Sequence, residues 1–178
     1  MGNSPLTGAA GNIRNFAAAG VNVHASAFSR RDSDGNCAAA YLGSYAPGLG
    51  ATDTSESGTN DTHKVDNIGG RNNYIVLEFS QRVVMSRAFL DAVGLDSDAT
   101  VWIGTKSDPY NNHVTLSDAV LSGMTKEDNA TPDIVSGARW AAVNAAKKSG
   151  NIIVISAYTG DDTPEDAFKL SKIDLICP

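Results

Sequence analysis

The chain has 178 residues, 19% of them charged, with 17 glycines and a net charge of −6. That length suits one domain, long enough to bury about 70% of its unfolded surface. The acidic balance excludes nucleic-acid binding through clustered Lys and Arg, and no apolar run reaches the ~18 residues of a membrane span.

Residues 1–12 are rich in Gly, Ser and Asn and are expected to form a flexible segment ahead of a single domain over residues 13–178. Residues 13–17 read as an opening edge strand. Val21, Val23, Ala25 and Ala27 then alternate with polar neighbours, the period of a half-buried strand, which puts His24 on the polar face. Asp32-Ser33-Asp34-Gly35-Asn36 resembles the start of an EF-hand loop, but Gly43 stands where the twelfth-position acid belongs. An ordinary turn with a left-handed glycine fits the same residues. Residues 37–45 form the next strand. Tyr74-Ile75-Val76-Leu77-Glu78-Phe79 is apolar on both faces apart from Glu78 and predicts a central strand. Ser80-Gln81-Arg82 reads as a turn into another strand over residues 83–90.

Residues 100–105 predict a strand, and residues 114–121 suit a strand or a short helix capped by Thr115 or Ser117. Residues 124–137 read as a polar connection. Helix propensity competes with a strand reading at residues 138–148, and a strand is expected over residues 139–144. Residues 151–158 are the clearest strand, and alternation over residues 168–175 closes the domain. About nine or ten short strands with frequent turns and long loops describe an all-β fold, a β-sandwich.

Between Tyr45 and Tyr74 lies a polar segment of roughly twenty-five residues, long for a compact domain and a sign of function or of a bound ligand. It carries Asp53, Glu56, Asp61 and Asp66; Asp91, Asp96 and Asp98 follow around the next connection. Carboxylates so close repel one another unless solvated or bridged, and oxygen-rich loops suit calcium. Asp53, Glu56, Asp61, Asp66, Asp96 and Asp98 are therefore the candidate Ca2+ ligands, with solvated surface loops as the alternative. Tyr110 and Asn112 offer an aromatic face and an amide to a sugar, within what otherwise reads as an ordinary polar loop. Cys37 and Cys177 show no metal-binding spacing and no neighbouring His. They are either two unrelated thiols or a disulfide tying the last strand to the third. No nucleophile elbow, His-Glu-x-x-His or phosphate loop occurs, so no catalytic residue is expected.

The words Ala40-Tyr41-Leu42-Gly43-Ser44-Tyr45, Gly48-Leu49-Gly50-Ala51-Thr52-Asp53 and His63-Lys64-Val65-Asp66-Asn67 resemble the exported domains of bacterial PEP-CTERM (exosortase-sorted) proteins. Ala88-Phe89-Leu90, Asp96-Ser97-Asp98 and Val101-Trp102-Ile103-Gly104 continue the likeness, which covers residues 16–174. It implies a secreted or surface-held jelly-roll-like β-sandwich from a Gram-negative bacterium that builds exopolysaccharide matrix. In that setting Cys37 and Cys177 are expected to be bridged. The chain departs from the family where it ends, at Cys177-Pro178, without a Pro-Glu-Pro motif, membrane helix or basic tail. It also opens without a basic start and apolar stretch, which taken alone predicts a cytoplasmic protein. The function expected is a non-enzymatic structural or adhesive module that is calcium-stabilised and self-assembles into matrix or filaments. The alternative is calcium-dependent binding of an extracellular polysaccharide.

Overall fold

The computed structural model describes residues 3–59, 62–132, 134–160 and 163–176. Among them eleven strands form one antiparallel system: β1 (Arg14–Ala18), β2 (Val21–Arg31), β3 (Cys37–Tyr45), β4 (Gly48–Thr52), β5 (Val65–Asp66), β6 (Arg71–Asp91), β7 (Ala99–Gly104), β8 (Thr125–Asn129), β9 (Arg139–Ala142), β10 (Gly150–Ala157) and β11 (Ala167–Ile176). A short helix, α1 (Asp118–Ser122), follows β7, and Ser117 caps it by accepting from the Val120 amide at 3.3 Å.

β6 organises the fold. Its 21 residues would span about 70 Å if straight, while a domain of this length is about 40 Å across. The strand therefore bends. The bend falls where β10 shifts register against it, between the pairs Ile152↔Glu78 and Gly150↔Val83. Ser80, Gln81 and Arg82 are exposed in this stretch, so the polar triplet expected to be a turn is a bulge inside one continuous strand. Ahead of the bend β6 pairs with β2, from Arg31↔Arg71 to Val23↔Phe79. Beyond it β6 pairs with β11, from Ile176↔Val84 to Lys169↔Asp91. With β3 joining β2 to β4, and β4 meeting β11 at Leu49↔Leu170, the ladder closes into a ring of five strands, β2-β3-β4-β11-β6.

The all-β expectation is met, and the architecture is a closed five-strand barrel extended by β10, β7 and β8 on the sheet. The polar segment after Tyr45 is tied down at both ends, by the β3–β4 hairpin and by β5 pairing with β11. The connection over residues 124–137 contains the edge strand β8, and residues 139–142 are the expected strand. The turn after β2 has Gly35 at φ +69° and Asn36 N–H donating to Asp34 Oδ1 at 3.0 Å, as expected of an Asx turn.

Burial on both faces explains the uninterrupted apolar runs. Ile75, Leu77 and Phe79 of β6, with Ile153 and Ile155 of β10, belong to the barrel core together with Leu42, Met85 and Phe168. Tyr74, Val76, Ile152 and Val154 face the other way and pack with Phe28, Trp102, Leu116 and Leu121 under α1 and its lead-in. Residues 3–12 run along β3: Ser4 N–H donates to the Ser44 carbonyl, and Asn12 exchanges two hydrogen bonds with the Leu42 backbone. Cys37 is a half-buried free thiol, and its expected partner Cys177 lies outside the described residues, among which there is no disulfide.

Candidate metal centre

Two strand junctions bring three aspartates together. Asp96 and Asp98 stand in the lead-in to β7, and Asp166 immediately precedes β11. A parallel bridge joins Asp96 to Asp166, with Ala167 N–H donating to the Asp96 carbonyl at 3.1 Å. One carboxylate oxygen from each of the three lies within 4.8 Å of the others, and all three residues are buried. Backbone groups hold them. Asp96 Oδ1 accepts from Ser97 and Val135 amides at 2.7 and 2.9 Å, and Asp98 accepts from the Thr131 amide and hydroxyl. Asp166 Oδ1 accepts from the Asp98 amide at 2.9 Å and Oδ2 from Asn67 Nδ2 at 3.2 Å. Arg139 brings a basic group to the triad. Its guanidinium reaches Asp98 at 3.3 Å while also donating to the Ser97 hydroxyl and carbonyl and to Asn129.

Three buried carboxylates this close repel one another unless bridged, the condition under which a divalent cation is favoured. Asp96 Oδ2 has no hydrogen-bond partner among the described residues and is available to such an ion. All-oxygen donors at this spacing fit a hard cation, so the residues present suit calcium or magnesium better than zinc.

The loop acids expected to contribute gather in a second group. Asp53 Oδ2 accepts from the Ser29 hydroxyl and lies 3.8 Å from Arg71 Nε, and Glu56 Oε2 accepts from the Asp53 amide at 2.8 Å. Asp66 is 1% exposed, accepts from Ile68 N–H and Asn73 Nδ2 with Oδ1, and leaves Oδ2 buried without a partner. Burial, followed by the charge of Glu56, pushes Asp66 up to about 8. Burial likewise raises Glu56 to about 7. The next residue, Asn67, spans the two groups, since Asp66 pairs with Ala167 and Asn67 bonds Asp166. Asp61 lies outside the described residues. Asp166, 70 positions from Asp96, is the member of the triad that sequence reasoning missed. Asn112 Nδ2 donates to the Asp108 carbonyl of its own turn, and Tyr110 stacks on His24 at 3.9 Å.

Two concavities also mark the surface. A cavity of about 480 Å³ opens into the barrel between β1, β2, the β3–β4 turn and β11, lined mainly by Phe16, Val21, Leu49, Leu77, Ile173 and Leu175. A polar cleft of about 410 Å³ on the opposite face is floored by Tyr74 and Trp102 and walled by Arg30, Asp32, Asn72 and Asp118. No helix among the described residues is long and apolar enough to cross a membrane. Compared with protein-family models, curated proteins and solved structures, the chain matches none.

Proposed function

We propose that this chain is a non-enzymatic structural or adhesive module of the extracellular space or cell surface of a Gram-negative bacterium, stabilised by calcium and able to assemble with copies of itself. Edge strand β1 carries the reading. Among the described residues it pairs only with β2, its residues Asn15, Ala17 and Ala18 are exposed, and it borders the apolar mouth of the barrel. Strand β8, at the far edge, is guarded by Lys126, Glu127 and Asp128, whereas β1 has no charge after Arg14. An unguarded edge beside an apolar mouth invites a strand from another molecule. The resemblance to PEP-CTERM exported domains supports the setting and is what supports a jelly-roll-like β-sandwich parent architecture.

Sedimentation at high protein concentration tests the reading. Species larger than monomer are expected for the wild type, and only monomer for Ala17→Lys, which places a charge on the edge. A wild type that stays monomeric throughout overturns self-assembly.

A second reading is the binding of an extracellular polysaccharide in the polar cleft. Asn72 favours it, because the residue is 8% exposed, lines the cleft and leaves Oδ1 without a partner. The same sedimentation runs with matrix polysaccharide added separate the two: co-sedimentation by a monomeric protein selects this one.

Calcium is the stabilising part of the proposal and rests on the aspartate triad. An ion that binds only the folded chain adds about 2.7 kcal/mol at a hundredfold excess over its Kd, which is roughly 5–10 °C in Tm for a domain of this size. Thermal melts in calcium and in chelator are expected to differ by that amount, and identical melts would remove calcium from the reading.

A further inference from the structure

We propose that His24 and His113 form a two-imidazole site for a borderline divalent transition-metal ion such as zinc, nickel or copper. His24 projects from the outer face of β2 and stands opposite Glu78 of β6 in the ladder. The segment between β7 and α1 lies over this pair and brings in His113, whose ring centroid is 5.0 Å from that of His24 at an interplanar angle of 53°.

The hydrogen bonds fix which nitrogen of each ring is free. Glu78 is 1% exposed; its Oε1 accepts from Val114 N–H at 2.6 Å and its Oε2 lies 2.7 Å from His113 Nδ1. His24 Nδ1 lies 2.9 Å from the Tyr110 carbonyl, which can only accept. Each Nδ1 therefore carries the proton, and each neutral ring keeps its lone pair on Nε2. Neither Nε2 has a partner among the described residues.

A ring proton donated to a carboxylate or a carbonyl is how proteins orient metal-binding histidines and raise their basicity, and here both rings have it. A metal 2.0–2.1 Å from each nitrogen at the tetrahedral angle sets two ring centroids about 5 Å apart, the separation found. Imidazole selects zinc, copper or nickel over calcium, so the ligand chemistry distinguishes this site from the all-oxygen triad. Water or a donor from a second molecule completes the coordination.

The test uses untagged, metal-free protein titrated with zinc against a chromogenic chelator, and with copper by electron paramagnetic resonance. His24→Gln and His113→Gln are each expected to lose at least the roughly 10- to 100-fold in affinity that outer-sphere changes alone cause. His63→Gln, the remaining histidine, should bind as the wild type does. The copper spectrum should report two bound nitrogens in the wild type and one in each of the two variants. Both substitutions are at partly exposed positions, and unchanged melts in chelator would confirm folding. Zinc affinity unaltered by either substitution, or affinity that follows His63, overturns the site.

Discussion

Replacing Asp66 with asparagine is expected to stabilise the cation-free protein at pH 8 and to leave it unchanged at pH 4. Burial, then the Glu56 and Asp53 charges, raise this carboxyl to about 8, and the Ile68 amide and Asn73 only partly oppose them. In the unfolded chain the same group titrates at about 4. Between those values the folded state holds a proton that the unfolded state has released, so the stability present at low pH is lost as pH rises, by up to about 1.4 kcal/mol per unit. The loss runs from about pH 4 to about 8 and then levels off. Glu56, raised to about 7, adds a smaller total loss of the same sign over a narrower pH range. An asparagine does not titrate. Its Nδ2, in the place of the unpartnered Oδ2, can also donate to a buried acceptor, and Asn73 Oδ1 is one without a partner. Melts in chelator from pH 4 to 9 should show a flatter profile for Asp66→Asn and a gain on the order of 2–4 kcal/mol at pH 8. A variant less stable than the wild type at pH 8 would mean that the ionised carboxylate has a favourable partner in the fold.

The features legible in the sequence are those set by neighbours along the chain. Val21, Val23, Ala25 and Ala27 alternate because β2 has one face in the barrel core, and the both-sided runs in β6 and β10 are strands with two buried faces. Ser117 announces α1 through its own hydroxyl. Distant contacts decide the remainder. Ser80, Gln81 and Arg82 have the composition of a turn, yet β6 continues through them because its two halves find partners on either side of the bend. β8 reads as polar because an edge strand is solvated, with an alternation of half-buried and exposed residues that carries no apolar signal. β4 contains Gly50, whose missing side chain makes room for the His63 carbonyl, only 2.0 Å from where a Cβ would sit. That need is invisible until the two segments meet. Ring closure itself depends on the single pair Leu49↔Leu170. The site follows the same division: the acids of the loop and of the β7 lead-in stand out as clusters. Asp166 joins them across a parallel bridge, and Glu78 reaches His113 across 35 positions, which no spacing rule predicts.

Arg139→Met is expected to cost about 3–5 kcal/mol in chelator and distinctly less in calcium. The guanidinium is the triad's own counter-charge, and at 16% side-chain exposure beside an Asp98 at 10% it sits where an unpaired carboxylate is poorly solvated. Methionine keeps the apolar stem while removing the charge and the hydrogen bonds to Ser97, Asp98 and Asn129. Three carboxylates then face one another without the Arg139 charge. A divalent ion at Asp96, Asp98 and Asp166 meets less repulsion once Arg139 is gone, so it should bind the variant more tightly and stabilise it more than it does the wild type. The hydrogen bonds to Ser97 and Asn129 stay lost in both conditions, which sets a floor that calcium cannot lift. Asp98→Asn in the same background removes one of the repelling charges and should recover part of the loss in chelator while weakening the response to calcium. A coupling of about 0.5–3 kcal/mol between residues 98 and 139 is the scale for groups in one network. If the calcium increment is the same in wild type and Arg139→Met, the guanidinium and the ion do not share the triad, and the three aspartates are held by hydrogen bonds to the strand junctions alone.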